Sequence, residues 1–252
     1  MHSLLSCLLL PHASADGPTN MARDEVLLEH VTSDPSSAAF RTYAWSSPTL
    51  SLGYFQAIAE AEQDPRWRQV PLVRRPTGGG AIWHDREITY ALAIPAFHPL
   101  SRNSSELYQA VHAAIANLFI DFGLHVHRRG DYLATPPPAS RPFLCFTDRD
   151  SEDIVHNAVK LVGSAQRRRA GAILQHGSIL LSRSLMTPEL PGAADFAPSL
   201  GDPQRWSSLL RTHIPDALGF SSQPIDWSEP MLARADFLAQ SNYRNPAWTR
   251  KR

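Results

Sequence analysis

The stretch "RRPTGGGAIWHD" occupies residues 74–85 and decides the fold. It joins one apolar run, "VPLVRRP" (70–76), to a second, "AIWH" (81–84), through Gly78, Gly79 and Gly80. Both runs read as strands, and that context excludes two common glycine motifs. A dinucleotide fingerprint needs strand, glycines and then a helix, and a Walker loop needs Gly-Lys-Ser/Thr. A glycine-rich turn between strands instead lets backbone N–H groups come close to a ligand. A carboxylate, a phosphate or a thioester carbonyl would suit such a turn. Three consecutive glycines exceed what a plain hairpin turn requires.

Outward from this loop the chain mixes helix and strand periods. "TNMARDEVLLEHV" (19–31) reads as a helix capped by Thr19 or Asn20. "FRTYAW" (40–45) and "TLSLGYF" (49–55) read as strands, and "QAIAEAEQ" as a short helix. In "ITYALAIP" (88–95), Ile88, Tyr90, Leu92 and Ile94 alternate, which predicts a half-buried strand. The clearest helix is "NSSELYQAVHAAIANLFIDFGL", where Leu107, Val111, Ile115, Leu118 and Phe122 form one stripe. Asn103 with Glu106 resembles a capping box, and Gly123 suits the C-terminal end. "HVHRRGDYLA" (125–134) reads as a returning strand and "TPPPASRPFLCF" (135–146) as a proline-rich loop carrying Cys145. A hairpin follows, with strands near 159–166 and 172–181. Helices are expected over about 203–242, one of them with Ser228 as N-cap and Pro230 in its first turn. With neither repeats nor a long linker, the expectation is one α+β domain over 1–252, its mixed, mostly antiparallel sheets flanked by α-helices.

Composition narrows the function. Of 252 residues, 43% are hydrophobic and 19% charged, with 24 bases against 24 acids. A formal net charge of zero makes no electrostatic case for bulk nucleic-acid or membrane binding. "QRRRAG" (166–171) is the densest basic run and reads as a solvated loop. Cys7 and Cys145 are too few for a disulfide framework. The start of the chain mimics a signal peptide, with "ASA" before Asp16, but it has no Lys or Arg ahead of a short apolar run. Leu8, Leu9 and Leu10 are therefore expected to form a buried first strand, and the protein to be cytoplasmic.

The side chains that carry chemistry stand out by scarcity. The chain has only two lysines, Lys160 and Lys251. Lys160 lies inside an apolar run, "AVKLVG", which points to a need for a compact ammonium that Arg cannot supply. A free thiol of pKa about 8.5 is only about 3% ionised at pH 7, so a nucleophilic Cys145 needs a nearby cation. Lys160 is the candidate. In "LQHGSILL", His176 and Gly177 interrupt a strand, which leaves open whether His176 lines a site or is a satisfied core residue. His84 and Asp85 are neighbours on a strand and point to opposite faces, so they are read as independent. No His/Cys cluster has metal-ligand spacing, and no metal is expected.

Five stretches carry a resemblance: "TNMARDEVLL", "RTYAWSSPTLSLGYFQ", "VRRPTGGGAIWHD", "KLVGSAQRRRAGAILQHGSILL" and "FLAQSNYRNPAWTRKR". Together they resemble the biotin/lipoate protein ligase superfamily, and most closely its cysteine-dependent octanoyltransferases of lipoate biosynthesis. The resemblance implies that Cys145 carries an acyl group and Lys160 activates it. Arg75, Gly78, Gly79, Gly80, His84, Gly163, Ser164, His176 and Gly177 would bind substrate. It implies octanoyl-acyl carrier protein as donor and, as acceptors, the lipoyl domains of 2-oxoacid dehydrogenases or the glycine cleavage H protein. No cofactor is implied. About seven buried carbons would contribute roughly 5 kcal/mol at about 0.8 kcal/mol each. Three other readings stay open: an ATP- and Mg-dependent lipoate ligase, an amidotransferase between lipoyl-type proteins, and a non-catalytic acyl-binding paralogue. "HNAVK" stands where a Gly- or Asp-rich turn before the lysine is more usual.

Overall fold

The computed structural model describes residues 5–131 and 141–252. In chain order its elements are β1 (Ser6–Leu9), β2 (Ala13–Ala15), α1 (Gly17–Ser33), β3 (Ser37–Trp45), β4 (Thr49–Leu52), α2 (Ile58–Gln63), β5 (Leu72–Arg74), β6 (Ile82–His84) and β7 (Glu87–Ile94). Then come α3 (Ser104–Asp121), β8 (His127–Arg128), β9 (Ile154–His156), β10 (Val159–Arg169), β11 (Ala172–Leu180), α4 (Pro203–Ala217), β12 (Ser221–Pro224), α5 (Glu229–Leu238) and α6 (Pro246–Thr249).

The large sheet has the order β12-β1-β3-β7-β11-β10-β9-β8, with β2 beside β3, and a small sheet has the order β5-β4-β6. From β3 to β8 every pair along the large sheet is antiparallel, while β1 runs parallel to both β3 and β12. Helices cover both faces. Leu107, Val111 and Ile115 of α3 and Trp206 and Leu210 of α4 pack with Phe40, Tyr90 and Leu92 in one core. Met21, Leu27 and Leu28 of α1 and Leu238 of α5 pack with Tyr43, Ala91, Ala93 and Leu174 in a second. A third, smaller core of Leu50, Trp67, Trp83 and Leu144 lies under the small sheet.

This two-sided burial explains one departure from the expected pattern. β7 was expected to be half-buried, but all eight of its residues are buried. Its alternation separates two cores rather than core from solvent: large side chains face α3, and Ala91 and Ala93 let α1 come close. The expected first strand of Leu8–Leu10 is shifted: β1 spans Ser6–Leu9 with Leu8 only half-buried, Leu10 is buried just beyond its end, and Cys7 is buried with both cysteines free.

Other boundaries moved for local reasons. Asp16, not Thr19 or Asn20, caps α1: its side chain accepts from Thr19 N, and Pro18 occupies the first turn. Asn20 instead donates to the Ala15 and Ala44 carbonyls. The returning strand expected over 125–134 is only His127–Arg128, followed by a 3-10 turn at Arg129–Asp131; its last three residues, and 135–140 of the proline-rich loop, lie outside the described residues. "QRRRAG" is not a solvated loop. β10 runs through Arg169, and Arg167, Arg168 and Arg169 bond the Pro76 carbonyl, the Ser101 carbonyl and Glu29. Toward the C-terminus, β12 separates α4 from α5, and Ser228 caps α5 as expected.

Candidate active site

The glycine loop is not a hairpin turn. β5 and β6 each pair with β4 and not with each other, so residues 75–81 cross over the end of β4. That crossing explains the glycines individually. Gly79 has φ +91°, the left-handed region, and a Cβ on Gly53 would lie 1.9 Å from the Gly79 carbonyl oxygen. A Cβ on Gly80 would lie 2.9 Å from Cys145 N and 3.0 Å from the Phe143 carbonyl oxygen. The backbone that passes so close is therefore the segment carrying Cys145. Cys145 N donates to the Ala81 carbonyl at 2.7 Å, and Ala81 N donates to the Phe143 carbonyl at 2.8 Å. At Gly78 a Cβ would meet only Phe55, at 3.9 Å.

Arg75 ties the loop from beneath. Its guanidinium is buried and donates to the Gly78 and Gly80 carbonyls at 2.8 and 2.6 Å and to Ser51. Because a peptide carries C=O and N–H on opposite sides, this turns the Gly79 N–H away from Arg75.

Lys160 reaches the same place from the sheet. A register shift between Lys160 and Val162 bulges β10 against β9, and such bulges re-aim side chains. Lys160 Nζ donates to the Cys145 carbonyl at 3.0 Å and lies 3.7 Å from Cys145 Sγ. It also pairs with Asp153 Oδ1 at 2.8 Å. Burial opposes the charge on Lys160, but Cys145 and Asp153 outweigh it and raise its pKa. Asp153 in turn is raised by its burial, against the pull of Lys160. Gly163 makes room for this lysine, since a Cβ there would lie 2.6 Å from Lys160 Cε.

Two cavities meet at Cys145. One is mainly apolar; Met21, Tyr43, Trp45, Ile82 and Cys145 lie in its walls. Arg75, Gly79, His84, Gly163, Ser164, His176 and Gly177 border it as well. The other is polar and open, about 1180 Å³, and it holds Lys160, Asp148, Asp150 and Tyr108. Gly78 borders only the polar cavity of these two, whereas Gly79, Ser164 and Cys145 border both. Gly80 borders neither; it packs behind Cys145 and faces a third recess near Phe55.

The two histidines singled out in the sequence have both ring nitrogens engaged. His176 bonds Thr77 Oγ1 at 2.7 Å and Asp24 Oδ2 at 2.8 Å, so it is at once a satisfied buried residue and part of the cavity wall. Asp24 also accepts from Arg41 and Tyr43, and Arg41 and His176 hold its carboxyl low despite full burial. His84 bonds Ser51 Oγ and Glu87 Oε1, each at 2.7 Å, and stacks on Trp45 at 3.8 Å between ring centres. Burial lowers its pKa, against the pull of Glu87. Asp85 points elsewhere, to Ser184, as adjacent strand residues must. Among the described residues, no three His, Cys, Asp or Glu side chains are grouped to hold a metal ion.

Sequence reasoning missed His112, Tyr90 and Asp153. His112 and Tyr90 meet at Ser164 Oγ, each at 2.6 Å. The one available signal for His112 was Tyr108 one turn earlier on α3, which puts two polar aromatics along the edge of the apolar stripe.

A mixed sheet here carries a cysteine-lysine pair, with the cysteine in the wall of an apolar cavity. The lipoyl protein ligase A/B catalytic domain matches residues 16–199, and the chain belongs to that family. The octanoyltransferase LipM of Anoxybacillus flavithermus is 36% identical over 173 residues, 64% of this chain and 60% of that protein. LipM of Kyrpidia tusciae is 36% identical over 242 residues, 92% of this chain and 86% of that protein. The alignment with the Anoxybacillus relative thus spans less than two thirds of that protein's length. Among solved structures, a lipoate-protein ligase A bound with ATP superposes with a TM-score of 0.78 at 19% identity, covering 97% of this chain and 98% of that one. A bipartite lipoate protein ligase from Thermoplasma acidophilum superposes at 0.65 and 18%, covering 98% and 97%. These two share the fold. No helix among the described residues is long and apolar enough to cross a membrane.

Proposed function

We propose that the protein is an octanoyltransferase of lipoate biosynthesis that carries the acyl group on Cys145. The observation that supports this best is the position of Cys145 Sγ. It lies where an apolar cavity opens into a polar one, with the Lys160 ammonium 3.7 Å away. The acyl chain occupies the apolar cavity, where burial of its methylenes selects length and places the carbonyl by the sulfur. Cys145 thiolate attacks the thioester carbonyl of octanoyl-acyl carrier protein, the C–S bond to the donor breaks, and the donor leaves as thiolate. Lys160 and the Gly79 N–H are the donors for the oxyanion. A lysine amine of a lipoyl domain then enters through the polar cavity and takes the acyl group as an amide. The reaction needs no ATP or metal.

Intact mass of the protein after incubation with octanoyl-carrier protein, without ATP, tests this. One octanoyl mass should appear, be removed by hydroxylamine, and be absent in Cys145→Ser. Transfer that needs free octanoate and ATP and survives Cys145→Ser would replace this reading with a ligase. Loading from an octanoylated lipoyl-type protein, but not from carrier protein, would make it an amidotransferase. Absence of both adduct and transfer would leave an acyl-binding protein.

A further inference from the structure

Ser164, like Cys145, borders both cavities, and its hydroxyl belongs to a chain of buried hydrogen bonds. The direction of every bond in that chain is set by what each group can donate. His112 Nδ1 faces the Glu152 carbonyl oxygen, which only accepts, so Nδ1 carries the proton. Burial lowers the His112 pKa to about 4, so the ring is neutral and Nε2 is bare. Nε2 therefore accepts from Ser164 Oγ at 2.6 Å. Ser164 has then used its one proton, so Tyr90 must donate to it, also at 2.6 Å. Tyr90 in turn accepts from Gln175 Nε2 at 3.1 Å, and Gln175 Oε1 accepts from Gln166 Nε2 at 2.7 Å. One lone pair of Ser164 Oγ is left over. Ser164 thus has a hydrogen-bond acceptor in hand, with a bare imidazole nitrogen behind it.

The surrounding chain is built around this hydroxyl. A Cβ on Gly177 would lie 2.3 Å from Ser164 Oγ and 2.8 Å from Tyr90 Cε1, so Gly177 keeps the space in which the two hydroxyls meet. A nucleophile bonded to a base, with the base oriented by a third group, is the arrangement that activates a proton transfer.

We propose that Ser164, backed by His112, takes the proton from the attacking lysine amine when the acyl group leaves Cys145, and has no part in loading Cys145. This rests on the acyl-enzyme reading above. The two half-reactions differ in their need for a proton acceptor. Loading exchanges one thiolate for another and releases no proton. In the second step the amine nitrogen bonds the thioester carbon, and the C–S bond breaks with its electron pair going to Cys145 Sγ. The nitrogen must also shed a proton. Lys160 is a cation and cannot take it. The amine proton passes to Ser164 Oγ while Ser164 hands its own to His112 Nε2. The buried imidazolium then returns a proton to the Cys145 thiolate, so that amide, thiol and neutral His112 remain.

The experiment separates the half-reactions by rapid quench and intact mass, in unsubstituted protein, His112→Gln and Ser164→Ala. Loading from octanoyl-carrier protein should change far less than transfer does in either variant. Transfer from the isolated acyl-enzyme to a lipoyl-domain lysine should fall about 100-fold, the usual share of a general base. Hydroxylamine is a weakly basic nucleophile whose adduct nitrogen is acidic enough to lose its proton directly to water, so it should discharge all three acyl-enzymes at similar rates, which a purely structural defect would not allow. Tyr90→Phe removes one support of Ser164 and leaves the Ser164–His112 bond, so its transfer loss should be only a few-fold. Equal losses in both half-reactions, an unchanged transfer rate in His112→Gln, or a Tyr90→Phe loss as large as that of His112→Gln would overturn the proposal. Failure of the unsubstituted protein to load would instead sink the acyl-enzyme reading, before any variant is compared.

Discussion

Lys160 could be read from the sequence because an apolar strand in an arginine-rich chain has no packing reason to hold one of only two lysines. Cys145 could be read for a similar reason: it follows a proline-rich loop and lies outside any strand. What the sequence could not show is that Lys160 serves three partners, because Asp153 is seven residues away and looks like any loop carboxylate. His112 was hidden by its helix, whose apolar stripe accounts for its neighbours and leaves one polar position unremarked. The site therefore predicts a graded response. Lys160→Met keeps the stem and removes the cation 3.7 Å from Cys145 Sγ. Iodoacetamide labelling of Cys145 at pH 7 should slow several-fold. Acyl transfer should fall further, since the carbonyl donor is lost as well. Labelling at the unsubstituted rate would mean that the cation does not act on the thiol.

At the scale of elements, strand and helix positions followed from period and caps, but strand partners did not. The sequence shows that strands flank the glycines; it does not show that β4 lies between them, because that pairing is set by residues twenty or more positions away. The crossing over β4 is what makes Gly53 and Gly79 obligatory neighbours. The turn from β9 into β10 is an element with an identifiable defect. Asn157 and Ala158 have φ of 45° and 68°, the left-handed pair that a two-residue hairpin demands. Asn tolerates that region, whereas Ala carries a Cβ into it at about 1 kcal/mol. Ala158→Gly should therefore raise stability by up to about 1 kcal/mol, or roughly 2–4 °C in Tm for a chain of this size. A lower Tm would show that the flexibility of unfolded glycine outweighs the relieved strain. Because β10 begins here, the same variant tests whether this turn sets the aim of Lys160: its transfer rate should hold.

The whole molecule buries several ionisable groups under its two helical layers, and these make its stability depend on pH. His112 is neutral in the fold, with a pKa of about 4, but protonates near 6.5 in an unfolded chain. Between those values the unfolded state binds more protons, so stability falls as pH falls through that window. The shift corresponds to about 3 kcal/mol at most, present in full above pH 6.5 and lost by pH 4. His84 is also lowered by burial and acts in the same direction. Asp24 is lowered too, but as a carboxylate its contribution persists until the pH drops below about 4. Asp153 is raised, so acid relieves rather than stresses it. The expected result is a Tm that declines by roughly 10 °C from pH 7 to pH 4.5, ahead of any carboxylate-driven collapse. His112→Gln cannot titrate there, so its decline should be much shallower even if its Tm at pH 7 is lower. Thermal unfolding of both proteins across that range decides it: parallel declines would mean that His112 is not a buried neutral imidazole, and would remove the directional chain that ends at Ser164.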